Sequence, residues 1–205
     1  MPRHAFSYSA DFTNQIRNAL TEAIEALDEF RFPQEPKFTS ALLGKLHGLE
    51  IQSNNGEHIK IETTDVADRG KNSAEYRSGA DFVITATCSD GSKTVRKAIL
   101  FQLKEGNLRG MSPSARKELE NQINKMKCVV NAPKIGGIIR EYGKAKIMIA
   151  SANRFLEGDD FQLQDFPVYF NQRVITTLDG NTDQSTVNKL QNGNLPAIKA
   201  TIKQG

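Results

Sequence analysis

Four residues, Glu75, Asp81, Gln102 and Lys104, carry side chains that can hold a hard cation and manage a proton beside it. Asp81 opens an apolar run directly after Gly79-Ala80, and Gln102-Leu103-Lys104 closes the next one, Ala98-Ile-Leu-Phe. Carboxylate and amide oxygens suit Mg²⁺, which usually takes one or two carboxylates and keeps waters for substrate phosphates. An ammonium beside such an ion can orient an attacking water and offset charge that builds on phosphorus. The pattern points to phosphoester chemistry if the fold brings these side chains together.

Two strands and a turn must do the positioning. Ser89-Asp-Gly-Ser is a hairpin signal, because Asp-Gly accepts the positive φ values of a tight turn. With Asp90 and Gly91 as the central residues, Ser89 pairs with Ser92 and Asp81 lies opposite Leu100. Residues directly opposite share a face and side chains alternate with period two, so Gln102 and Lys104 join Asp81 on one face. The other face carries Phe82, Ile84, Ala86 and Cys88, with Val95, Ile99, Phe101 and Leu103 from the partner, and reads as core. A three-residue turn would reverse the parity and scatter the cluster.

Glu75, Gly79-Ala80-Asp81 and Gln102-Leu103-Lys104 together resemble the PD-(D/E)XK nuclease superfamily, the restriction-endonuclease-like fold. The closer likeness is to its Gln-x-Lys branch, as in Mrr-like restriction enzymes and nuclease effector domains of bacterial antiphage systems. The similarity spans roughly residues 38 to 152. It implies an α/β (α+β) fold, a mixed central β-sheet with an antiparallel catalytic hairpin flanked by helices. It also implies a Mg²⁺-dependent endonuclease, with Mn²⁺ able to substitute, acting on nucleic acid, DNA favoured over RNA. By position Asp81 would be the central metal-ligating acid, with Gln102 and the backbone carbonyl of Leu103 as further ligands and Lys104 as the catalytic lysine. Glu75 is the first choice for the additional acid, and Glu50, at the end of the expected helix Thr39–Glu50, the second. Gln102 stands where the superfamily more often has an acid, which lowers the negative charge on the metal. Weak metal affinity follows, and a catalytically inactive nucleic-acid-binding or assembly module is the alternative. An unrelated α/β scaffold with a chance match is the third reading. Control by a sensor partner, or action as a homodimer, comes from the resemblance alone, as does a role in phage defence.

The 205 residues suit one domain with a proper core. Residues 1–37 would be a helix and a Pro-containing connection, 38–152 the catalytic core, and 153–205 C-terminal strands and a short helix. Apolar runs such as Ala98–Phe101 and Ile147–Ala150 are too short to cross a bilayer, and the N-terminus has no signal-peptide core. Cys88 and Cys128 have no ligand spacing and read as buried thiols in a cytoplasmic protein, and His4, His47 and His58 are scattered. A zinc enzyme or a Ser-His-Asp hydrolase is thereby disfavoured. Net charge is only +3, yet Lys93 to Lys127 holds nine basic residues against three acids, Glu105, Glu118 and Glu120. Such side chains hold phosphate backbones, so Lys97, Arg109, Arg116 and Lys117 become nucleic-acid candidates, with Gln122 as a substrate contact implied by the resemblance.

Along the chain, Phe12, Ile16, Leu20, Ile24 and Leu27 make one helical stripe from Ser9 to about Asp28, ended by the Pro33 and Pro36 segment. A second helix is capped by Thr39 or Ser40, with Leu42, Leu43, Leu46 and Leu49 inward. His58–Val66 reads as a strand, and Asp68–Ser73 as a polar loop that could close over a substrate. Pro113 starts a helix to about Val130, and Lys134–Ile139 reads as a short helix or loop. Ala145–Ser151 then reads as a buried strand parallel to its neighbour through that helical crossover. Val168–Leu178 reads as one or two strands, Asp179–Asp183 as a turn and Ser185–Leu190 as a short helix.

Overall fold

The computed structural model describes residues 6–27, 35–66, 73–158 and 161–205. Helix α1 (Ala10–Glu25) starts where Ser9 accepts a hydrogen bond from Phe12 N, and it buries Phe12, Ile16, Leu20 and Ile24. Helix α2 (Glu35–Leu46) begins earlier than Thr39, because Pro36 is tolerated in a first helical turn. Leu42, Leu43 and Leu46 face the core as expected. The polar segment 68–72 lies outside the described residues, as do residues 28–34 of the Pro-containing connection.

Eight strands form one mixed sheet: β1 (Glu50–Gln52), β2 (His58–Thr64), β3 (Phe82–Ser89), β4 (Thr94–Glu105), β5 (Lys134–Glu141), β6 (Lys144–Ser151), β7 (Gln164–Asp165) and β8 (Ala197–Lys203). Their spatial order is β1-β2-β8-β3-β4-β5-β6-β7. The strand β8 thus lies between β2 and β3, antiparallel to the first and parallel to the second. The short helix α3 (Ala74–Ser78) leads into β3, α4 (Pro113–Lys127), capped by Ser112, crosses from β4 to the parallel strand β5, and α5 (Ala152–Glu157) follows β6.

Two hydrophobic layers sandwich the sheet. One face carries Phe82, Ile84, Ala86, Cys88, Ile99, Phe101 and Leu103 and packs on α1, α2 and the segment around Phe166–Ile175. The other carries Ala80, Val83, Ala98 and Leu100 under Leu119, Ile123 and Met126 of α4 and Val187 and Leu190 of α7 (Gln184–Gln191). Each of the three α4 side chains is fully buried, a burial of roughly 1.5–3 kcal/mol apiece by area. The hairpin is therefore covered on both faces, and Asp81, Gln102 and Lys104 come together at its α4 end.

Three segments differ from their sequence reading. The segment from Lys134 is strand β5, and Ala145–Ser151 belongs to β6, which is antiparallel to β5. The parallel crossover thus arrives one strand earlier than expected. Gly136 and Gly137 make this strand possible, since a Cβ there would lie 2.6 Å from Leu103 Cδ2 and 2.6 Å from Gly106 O respectively. Val168–Leu178 forms no strand: α6 (Phe166–Tyr169) runs into a π-helix at Phe170–Ile175. Its apolar residues Phe170, Val174 and Ile175 recur at helical rather than alternating spacing. Ser185–Leu190 is helical, within α7. Cys128 is exposed rather than buried.

Candidate functional site

The turn between β3 and β4 holds four residues, not two. Ser89 pairs with Thr94, and Asp90 Oδ1 accepts from Ser92 N at 3.0 Å and Lys93 N at 2.8 Å. The register shifts by two from the expected one, so face parity is preserved. Phe82 pairs with Phe101, and Asp81 now meets Gln102 instead of Leu100.

At this end of the hairpin the polar atoms converge. Gln102 Nε2 lies 2.9 Å from Asp81 Oδ1, 2.9 Å from Asp81 Oδ2 and 3.0 Å from the carbonyl of Leu103. The amide of Leu103 donates to Asp81 Oδ2 at 2.6 Å, and Asp81 N donates to Phe101 O at 2.8 Å. Three oxygens thus surround one amide nitrogen, whose two protons supply the partial positive charge they need. Asp81 is 9% exposed and Gln102 1%, so the cluster opens to solvent only through the acid. Lys104, two residues on and on the same face, places its ammonium 3.1 Å from Glu118 on α4.

Local sequence explains the fit. Ser73 caps α3, and Gly79 ends it with φ at 74°, a left-handed value suited to glycine. A Cβ on Gly79 would sit 2.3 Å from the backbone oxygen of Gln122. Gly79 and the buried Ala80 thereby let α4 approach the strand that carries Asp81. Lys125 of α4 locks the same contact, donating to Tyr76 O at 2.8 Å with its ammonium 4.1 Å from the Tyr76 ring centroid.

The other sequence candidates are distributed unevenly. Glu75 is exposed in the first turn of α3 and makes no hydrogen bond to the Asp81 cluster. Glu50 is not a ligand candidate: it starts β1, three strands from β3, with its carboxylate on His58 Nε2 at 2.6 Å. Through Lys60 and Thr201 it is level with Thr87. That lies about 20 Å along the strand from Asp81. The expected helix end fails because α2 stops at Leu46 and the chain has already entered the sheet. Lys97 is also removed from the nucleic-acid candidates, because it points into the opposite core layer and is fully buried. Its ammonium donates to the carbonyls of Arg173 at 2.8 Å and Asp179 at 2.5 Å.

Arg109 and Arg116 lie nearer the site but are engaged in packing, over the rings of Phe161 and Phe155. Each also donates to a backbone carbonyl, that of Phe161 and Phe155 respectively. Lys117 is exposed on α4, and Gln122, in the turn that touches Gly79, has a buried Oε1 with no hydrogen-bond partner among the described residues. Glu118, the acid beside Lys104, was missed in the sequence. It precedes Gln122 by four residues and so shares its helix face, which was the available signal. Among the described residues no group of three or more His, Cys, Asp or Glu could hold a metal ion, so any cation here would lean on amide and carbonyl oxygens.

No family model, curated protein or solved structure matches this chain, so the likeness drawn from its hairpin stands on those residues alone.

Proposed function

We propose that the protein is a metal-dependent endonuclease of restriction-endonuclease-like type, hydrolysing phosphodiester bonds, with DNA favoured as substrate. The observation that carries the reading is the trio of oxygens, Asp81 Oδ1, Asp81 Oδ2 and Leu103 O, gathered at 2.9–3.0 Å around the Gln102 amide nitrogen, with Lys104 two residues on and on the same face. Oxygens of this kind suit Mg²⁺ or Mn²⁺, and Asp81, the Leu103 carbonyl and the Gln102 amide oxygen would be the protein's ligands once the Gln102 amide nitrogen turns out of their midst, with Glu75 as an exposed additional acid. The ion, when bound, lowers the pKa of a coordinated water and offsets charge on phosphorus. Asp81 supplies the only fixed negative charge of the trio, and Gln102 fixes the plane in which that carboxylate lies. Lys104, held by Glu118, orients the attacking water and releases from its ion pair toward the substrate phosphate. Lys117 on α4 holds the backbone of the nucleic acid without reading its sequence.

The same hydrogen bonds favour a second reading. The Gln102 amide already satisfies Asp81, as an acid in that position would not, so the domain would bind or assemble on nucleic acid without cutting it. The described residues contain no helix long and apolar enough to cross a membrane. A cytoplasmic site of action, control by a sensor partner or by pairing of two copies, and a role in phage defence complete the proposal on the strength of the resemblance. Cleavage of plasmid DNA and of RNA with Mg²⁺ or Mn²⁺ tests it. Asp81→Ala and Lys104→Ala should each lower cutting by a factor of about 100 to 1,000. Binding that persists in all three proteins without cutting selects the module instead, and the absence of both sinks the two readings together.

A further inference from the structure

The face of the sheet opposite α4 carries a second polar cluster. Lys134 opens β5 beside Phe101 and is buried, with its ammonium 2.7 Å from the carboxylate of Asp179. Tyr169, 4% exposed, donates its hydroxyl to Asp179 Oδ2 at 3.2 Å. Burial, reinforced by the charge of Asp179, holds the Tyr169 hydroxyl well above its usual pKa, so it is a neutral donor. A nearly dry ion pair is costly to bury and is weak evidence for stability by itself.

Here the pair floors a cleft of about 430 Å³. This is the size of a small-molecule site. Its walls carry Ser151, Gln162, Gln164, Gln172 and Arg173. The last two come from the π-helix, whose Phe170, Val174 and Ile175 remain in the core. A π-helical turn is rare and recurs at functional sites, where the widened turn re-aims side chains. Arg173 lines the cleft together with Tyr169 and Asp179. Two cations, Lys134 and Arg173, face one acid, Asp179, which leaves an excess of positive charge among neutral amide donors.

We infer that this cleft binds a small organic anion through a phosphate or carboxylate group, met by Arg173 and by Lys134, with Gln162, Gln164 and Gln172 holding its uncharged part. The anion competes with Asp179 for Lys134. This site is independent of the nuclease reading.

Isothermal titration of the full chain in metal-free buffer, with inorganic phosphate, adenosine monophosphate and citrate as probes, tests the assignment. At least one probe should bind saturably at one site. Arg173→Ala, a change at an exposed side chain, should weaken that binding by about tenfold or more. Asp179→Asn should tighten it by removing the competing carboxylate, and Lys104→Ala should leave it unchanged. Binding of the phosphate probes without citrate makes the ligand a phosphate, and the converse makes it a carboxylate; both uphold the site. No saturation by any probe up to about 10 mM overturns it. So does binding that Arg173→Ala leaves intact, or that Lys104→Ala abolishes.

Discussion

The two polar clusters lie back to back across β4: Gln102 faces one, and its neighbour Phe101 faces the other, with the Tyr169 ring 5.9 Å away. The Asp81 cluster is built by one hairpin, from residues about twenty positions apart. The Lys134 cluster draws on β4, β5, α6 and the loop after the π-helix, and its parts span Lys97 to Asp179. A local cluster can change chemically while the surrounding layers hold their shape. A cluster assembled from four elements is also a joint between them, so its chemistry and its stability are linked.

That contrast can be tested first at its strongest point. Lys134→Met leaves Asp179 a largely desolvated charge without its ion-pair partner and should lower the unfolding free energy by about 3 kcal/mol. Asp81→Asn, which keeps an acceptor for Leu103 N, should cost no more than about 1 kcal/mol. Urea denaturation measures both, and equal costs would erase the distinction. Adding Asp179→Leu to Lys134→Met should restore most of the loss, because the orphaned charge goes with it.

A smaller effect sharpens the local side of the comparison. Gly79→Ala forces a Cβ to within 2.3 Å of Gln122 O at a left-handed φ, so α3 and α4 must separate. A loss of about 2 kcal/mol is expected, together with weaker protection of the Leu103 amide in hydrogen exchange. Unchanged protection would mean that the α4 contact does not support the cluster. The smallest effect is reserved for Lys117→Ala, which should alter stability by less than about 0.5 kcal/mol. In anisotropy titrations with labelled duplex DNA it should reduce the salt slope of binding by about one. A slope that does not move would place the nucleic acid elsewhere.

Legibility in the sequence followed the same division. The hairpin and its face parity could be read because alternation and turn chemistry act over a few residues, and the two-residue register error left the parity intact. The apolar face of Phe82, Ile84, Ala86 and Cys88 was visible for the same reason. Glu50 was misplaced because the end of α2 is decided by the chain entering the sheet at β1, a tertiary event. Lys97 shares the parity of Val95, Ile99 and Phe101 and so the core face, but nothing near it in sequence announces the distant carbonyls of Arg173 and Asp179 that hold its ammonium there. β5 was hidden by its two glycines, which signal a loop locally but serve close packing against Leu103 and Gly106. Lys134, Tyr169 and Asp179 have no common spacing, so only the assembled fold brings them together.

The position of β8 has a consequence for biosynthesis. Ala197–Lys203 bridges β2 and β3, so the ribosome must deliver every residue from β2 through β8 before the middle of the sheet can close. Until then a nascent chain presents one edge of β3 unpaired, beside the acid on which cutting would depend. Synthesis itself thus delays the moment at which the hairpin becomes a rigid platform, and a polypeptide interrupted before residue 197 would lack the strand that fixes it.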